Sequence, residues 1–354
     1  MYLASDNTSG VPDQILAALA AANAGFVPGY GADPAMDSLR TQLRALFEAP
    51  AAEVFLVTTG SAANALALAS HCPPWGAIYC HRLAHIEVDE CGAPEFFTGG
   101  AKLVHVAGRN GMMSAQALEA ALRSAGRGVV HNVQPGMLSL TNLTECGTLM
   151  RPEDIADLAA IAHHHGLPVH LDGARFANAL VAAGATPAEM SWKAGVDVLC
   201  LGGTKNGLMG VEAVILFDPA RAWEFVLRRK RGGHLMSKHR FMSAQMVAWI
   251  EGDLWRELAG HANAMAERLE AGLARQAEVE LIYPRGGNMI FARWPEARHA
   301  QLQAAGAQYF VMPASQGDDP DDDPRALARL VTSWSTTTAQ IDAFLALFDR
   351  PAGR

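Results

Sequence analysis

The chain has 354 residues, a formal net charge of −8 at pH 7 and 50% hydrophobic residues, which suits a large α/β domain with a smaller companion. No apolar run approaches the ~18 residues of a membrane span, Met1 to Gly10 lacks the basic-then-apolar pattern of a signal peptide, and no basic stripe suggests nucleic-acid binding. Cys72, Cys80, Cys91, Cys146 and Cys200 never form a CxxC pair, so reduced thiols in a cytoplasmic protein are expected, without a disulfide framework or a zinc site.

The run 53–58 predicts a strand, after which Gly60-Ser61 opens an Ala/Leu-rich helix ending near His71. Further buried strands are predicted over 77–80, 102–106, 128–132, 168–171, 196–201 and 213–217. A clear helix lies between the strands near 130 and 170. Pro152 suits its first turn, Glu153 and Asp154 suit the positive end of its dipole, and Gly166 stops it. Ile155, Leu158, Ala159 and Ala162 form its apolar face. The alternation predicts a mostly parallel seven-stranded sheet covered by helices, over residues 1–235.

Beyond about residue 235 the texture changes. A long helical stretch over 237–278 is interrupted only by Gly252 and Gly260. Strands are predicted over 280–283, 289–292, 308–312 and 330–334, with helices over 296–305 and 338–348. This predicts a small α+β domain over 236–354. The segment 315–324 carries five aspartates, two prolines and a glycine, the composition of a solvated loop.

Two motifs carry chemistry. Asp172 closes an apolar strand and is followed by Gly173-Ala174-Arg175, at the sheet edge where such folds bind ligands. Lys205 follows the next apolar strand in the turn Gly202-Gly203-Thr204-Lys205-Asn206-Gly207. Taken singly, an Asp at a strand end caps helices and a Lys in a turn is exposed. Together they are the pair that pyridoxal 5′-phosphate (PLP) needs: an amine for the cofactor aldehyde and a carboxylate for the pyridine nitrogen. The turn Thr59-Gly60-Ser61 can cradle a phosphate on helix amides, and His85 can lie on the pyridine ring. The run His163-His164-His165 ends a helix, and consecutive residues point to different faces, so no metal site is expected.

These motifs resemble those of the low-specificity L-threonine aldolase family of PLP enzymes, nearly end to end. Ser5-Asp6-Asn7, Gly29-Tyr30-Gly31-Ala32-Asp33-Pro34, Thr59-Gly60-Ser61, His85 with Glu90, Asp172-Gly173-Ala174-Arg175, Lys205 and Ala328-Arg329-Leu330-Val331-Thr332 carry the likeness. The resemblance implies the fold type I (aspartate aminotransferase-like) architecture. It implies Lys205, His85 and Asp172 as catalytic residues, with Gly60, Ser61, Arg175, Lys238 and Arg240 also toward the cofactor. Ser5, Tyr30, Arg175 and Arg329 are implied around the substrate. It also implies a homo-oligomer, a dimer or a homotetramer, in which Lys238 or Arg240 reaches a neighbour's cofactor phosphate. Two departures stand out. Asn142-Leu143-Thr144-Glu145-Cys146 lacks the family's second histidine, and the lysine motif reads Gly-Gly-Thr-Lys-Asn-Gly. The reaction implied is retro-aldol cleavage of β-hydroxy-α-amino acids to glycine and an aldehyde, with His85 as the first candidate for the base. β-Elimination or transamination on the same scaffold, and a catalytically silent PLP-binding protein, are the alternatives.

Overall fold

A computed structural model describes residues 1–313, 318 and 325–349; of the predicted loop 315–324, only Asp318 falls within them. Seven strands form the large sheet: β1 (Glu53–Val57), β2 (Gly76–His81), β3 (Lys102–Val106), β4 (Gln134–Thr141), β5 (Val169–Gly173), β6 (Val198–Gly202) and β7 (Glu212–Leu216). Their order is β1-β7-β6-β5-β4-β2-β3. β7 is antiparallel to both of its neighbours, and the remaining pairs are parallel. β2, β5, β6 and β7 are buried along their whole length, because helices cover both faces. That double cover explains their near-continuous apolar runs.

One strand lies further along the chain than its valines suggest. Residues 128–132 form turns, and β4 begins at Gln134. Gly126 and Gly128 adopt φ of 65° and 78°, and the Gln134 carboxamide bonds the Gly128 amide and the Val129 and Asn132 carbonyls. These bonds close a turn that leaves Val130 fully in solvent. Apolar residues alone therefore misplace the strand.

Four strands form the small antiparallel sheet: β8 (Glu280–Leu281), β9 (Met289–Arg293), β10 (Phe310–Met312) and β11 (Leu327–Val331), in the order β8-β9-β11-β10. β11 starts three residues before its predicted place and ends at Val331. Thr332 then turns away, its hydroxyl donating to the Ala262 carbonyl at 2.7 Å. The N-terminus joins this sheet: the Leu3 amide donates to Gln308 O and the Val331 amide to Leu3 O. Leu3 is buried in the small-sheet core with Trp294 and Phe344.

The long helical stretch divides into Arg240–Ile250 and Leu254–Leu273. Gly252 and Asp253, each at φ 65°, break it. Gly260 stays inside the second helix, which packs on the Phe176–Ala183 helix of the large sheet. The first helix packs against Asp13–Ala22 and Pro34–Leu46.

Candidate active site

The C-terminal ends of β4, β5 and β6 face the small sheet, the position at which open α/β sheets bind ligands. Asp172 lies on β5, opposite Thr141 of β4 and Cys200 of β6. Its Oδ1 accepts the Ala174 amide at 2.9 Å and its Oδ2 accepts Asn64 Nδ2 at 2.9 Å. The side chain is buried.

Lys205 sits in the short turn Thr204–Asn206 that follows β6. Glycine is required on the way to it, since a Cβ at Gly202 would stand 2.4 Å from the Ala174 carbonyl oxygen. The turn is pinned from several sides. Asn206 Nδ2 donates to Trp255 O at 2.7 Å, Trp249 Nε1 donates to Asn206 O at 3.0 Å, and Glu212 Oε2 accepts the Gly203 amide at 2.8 Å. Burial pushes the Glu212 carboxyl up to about 7. The lysine is thus held on a rigid support, as a reacting amine needs.

Lys205 opens into a cavity of about 810 Å³ that runs between the two sheets. Ser5, His85, Glu145, Arg175 and Arg329 share its wall. His85 begins the turn His85–Val88, and its Nδ1 lies 2.8 Å from Glu90 Oε1. That hydrogen bond raises the imidazole pKa above its ordinary value, against burial.

Arg175 and Arg329 differ in their company. Arg175 forks onto Asp6, Nε to Oδ2 at 2.7 Å and Nη2 to Oδ1 at 2.9 Å, and Asn288 Nδ2 donates to the same Oδ2 at 3.0 Å. Burial alone would raise the Asp6 carboxyl, but Arg175's charge and hydrogen bonds carry it below its usual value. Asp6 thereby ties the N-terminal turn to both sheets. Arg329, on β11, meets Met289 Sδ at 3.8 Å and the Phe310 ring at 5.8 Å. No carboxylate among the described residues pairs with it. Burial, then the charge of Arg175, lowers its pKa.

The other predicted residues divide between this site and a separate face. Thr59, not Ser61, caps the Gly60–His71 helix, accepting the Ala62 amide. A Cβ at Gly60 would meet nothing within 4 Å, so the helix start is open to a phosphate. Ser5 Oγ accepts the Asn7 amide at 3.1 Å. Tyr30, Lys238 and Arg240 do not line this cavity. They cluster elsewhere: the Tyr30 amide donates to Ser237 O, and Arg240 Nη1 donates to the Ala24 and Gly25 carbonyls. His163 pairs with Asp197 and His165 with Glu119, so the three-histidine run has separate structural partners. Asn64 and Asp6 are the site residues to which sequence reasoning gave no role. A cue existed for Asp6 in the Ser5-Asp6-Asn7 motif; an Asn inside an Ala-rich helix offered none beyond its polarity.

The donor set fits PLP. It combines an amine on the wall, a buried carboxylate on the strand next to the one that precedes it, and a helix start whose first amides have no partner within the helix. Residues 2–292 match the family described as beta-eliminating lyase. The chain is 39% identical to the low-specificity L-threonine aldolases of Pseudomonas sp. (strain NCIMB 10558) and Pseudomonas aeruginosa, over 96% of this chain and 94% of each relative. The chain belongs to the low-specificity L-threonine aldolases of the beta-eliminating lyase family. The threonine aldolase structure from Leishmania major superposes with a TM-score of 0.91 at 28% identity, over 98% of both chains. This is therefore a PLP-dependent lyase. No helix among the described residues is long and apolar enough to cross a membrane.

Proposed function

We propose that the enzyme cleaves the Cα–Cβ bond of L-threonine, L-allo-threonine and related β-hydroxy-α-amino acids, releasing glycine and an aldehyde. The observation that carries this reading is Arg329, a half-buried guanidinium with no anionic partner among the described residues, in the same cavity as Lys205 and His85. The missing partner is the substrate carboxylate, which a planar fork binds in a fixed orientation. Arg175, already held by Asp6, and Ser5 border the same space. Holding the carboxylate plane selects which bond at Cα can break. When bound, PLP supplies the sink for the electron pair of that bond. Asp172 would keep the ring nitrogen protonated, and the Gly60-Ser61 amides would hold the phosphate. His85, in its neutral form, takes the proton from the β-hydroxyl directly or through a water.

The same reading gives a homo-oligomer in the cytoplasm. Phe26, Val27, Tyr30 and Met236 expose apolar surface beside Lys238 and Arg240. This face suits a second copy whose cofactor phosphate those cations reach. The test is product identity. L-Threonine, L-allo-threonine and L-phenylserine should each release glycine with the matching aldehyde, and borohydride reduction followed by peptide mapping should place the pyridoxyl mass on Lys205. Ammonia or a keto acid as the main product would point to β-elimination or transamination instead.

A further inference from the structure

Asn64 lies on the inward face of the Gly60–His71 helix and is 2% exposed. Its Nδ2 donates to Asp172 Oδ2 and to Glu90 Oε1, both at 2.9 Å. Glu90 Oε1 also meets His85 Nδ1 at 2.8 Å. The four side chains form one unbroken path from the Asp172 carboxylate on β5 to the imidazole on the cavity wall.

The chemistry of the amide makes this arrangement specific. An NH2 group carries two hydrogens and accepts nothing, so it can serve one carboxylate with each hydrogen. The opposite orientation would turn the carbonyl oxygen onto two carboxylates at once, which fixes the amide as placed. Among the described residues, Asn64 Oδ1 and Glu90 Oε2 have no hydrogen-bond partner. The two carboxylates hold the amide, and its own oxygen does not. Without that NH2, two buried acids would face each other with fewer donors between them, and the repulsion would drive a proton onto one of them.

We propose that Asn64 is a positioning residue that couples the charge state of Glu90 and Asp172 to the protonation of His85. Only the role of His85 as base rests on the functional reading above; the coupling itself does not. His85 faces Asp89 at 3.6 Å and Glu90 from its own segment, Glu145 from the loop after β4, and Asp172 from β5. The cations Arg82, Arg175, Lys205 and Arg329 share the cavity wall. Glu87 turns away to His105. Glu90 is therefore the anion in closest contact with the ring, and Asn64 is the neutral donor that supports it. Burial already raises the Glu90 carboxyl, with the His85 and Asn64 hydrogen bonds opposing the rise. Removing Asn64 takes away one of the hydrogen bonds that oppose protonation of Glu90, and a protonated Glu90 no longer raises the pKa of His85.

The experiment is an NMR titration of the His85 ring, assigned with His85→Gln, in the cofactor-loaded enzyme and again in cofactor-free protein. Asn64→Leu removes both donors at similar volume, and Asn64→Ser leaves one. The wild-type midpoint should lie above the ordinary 6.5. It should fall by about half a unit or more in Asn64→Leu and by less in Asn64→Ser, since the carboxylate term is lost in steps. The acid limb of kcat/KM should move with it. Glu90→Gln should lower the midpoint likewise, and adding Asn64→Leu to it should change little, the signature of one path. A His85 midpoint unmoved in both Asn64 variants overturns the coupling, whatever the activity. A midpoint that moves in an enzyme releasing no glycine upholds the coupling and sinks the aldolase reading instead.

Discussion

On the large-sheet wall, Arg175 directs Nε and Nη2 onto buried Asp6, and Asp172 accepts bonds from Asn64 and Ala174. On the small-sheet wall, Arg329 meets a methionine sulfur and an aromatic ring and, among the described residues, no carboxylate. Arg175 and Asp172 on the first side are paired internally, so their geometry is set before any ligand arrives. The second offers a desolvated cation, with Phe291, Phe310 and Leu327 nearby on the cavity lining. A partly buried charge that no described carboxylate pairs with is costly, and an entering anion offsets that cost. Preorganisation and ligand demand are thus placed on opposite sides of one cavity.

The largest effect should come from breaking the internal pairing. Asp6→Ala leaves Arg175 buried without its anion and should cost about 3–5 kcal/mol of folding stability, measured by urea unfolding. The folded carboxyl of Asp6 lies below its ordinary 3.8. Its stabilisation is therefore present in full above that value and lost as pH falls through the lower folded one. Wild type should lose its advantage over Asp6→Ala in that acid window. Equal stability of the two proteins at pH 7 would show that the first wall is not prepaired.

A smaller effect should follow at Asp172. Asp172→Asn keeps the bulk and removes the charge proposed to hold the ring nitrogen's proton. Turnover should fall about a hundredfold, or ~3 kcal/mol, in cofactor-saturated enzyme whose fold is unchanged by circular dichroism. Near-native turnover would remove Asp172 from its assigned role.

The smallest change sharpens the contrast between the arginines. Arg329→Lys keeps the charge and loses the fork, so KM for β-hydroxy amino acids should rise about tenfold with stability and cofactor spectrum unchanged. Turnover falls as well if the carboxylate plane selects the bond. A loss of stability with unchanged KM would make Arg329 a structural residue like Arg175.

The sequence by itself determined the alternation of strands and helices, the seven-stranded sheet, and the places of Asp172 and Lys205. Those features are local. Strands buried on both faces read as apolar runs, and glycine is demanded where the backbone approaches within 2.4 Å of a would-be Cβ, as at Gly202. The 128–132 misplacement shows the limit of that logic, because two left-handed glycines and the Gln134 carboxamide outweighed the preference of two valines for strand. Only the tertiary structure decided the partners. Asp6 meets Arg175 and Asn288 across the two sheets, and Asn64 joins Glu90 to Asp172 across a helix and a strand. Tyr30, Lys238 and Arg240 gather on a face of their own, away from this chain's cavity. A hydrogen bond is set by distance and direction in space, and residues far apart in the chain leave no periodic trace of the partner they will find.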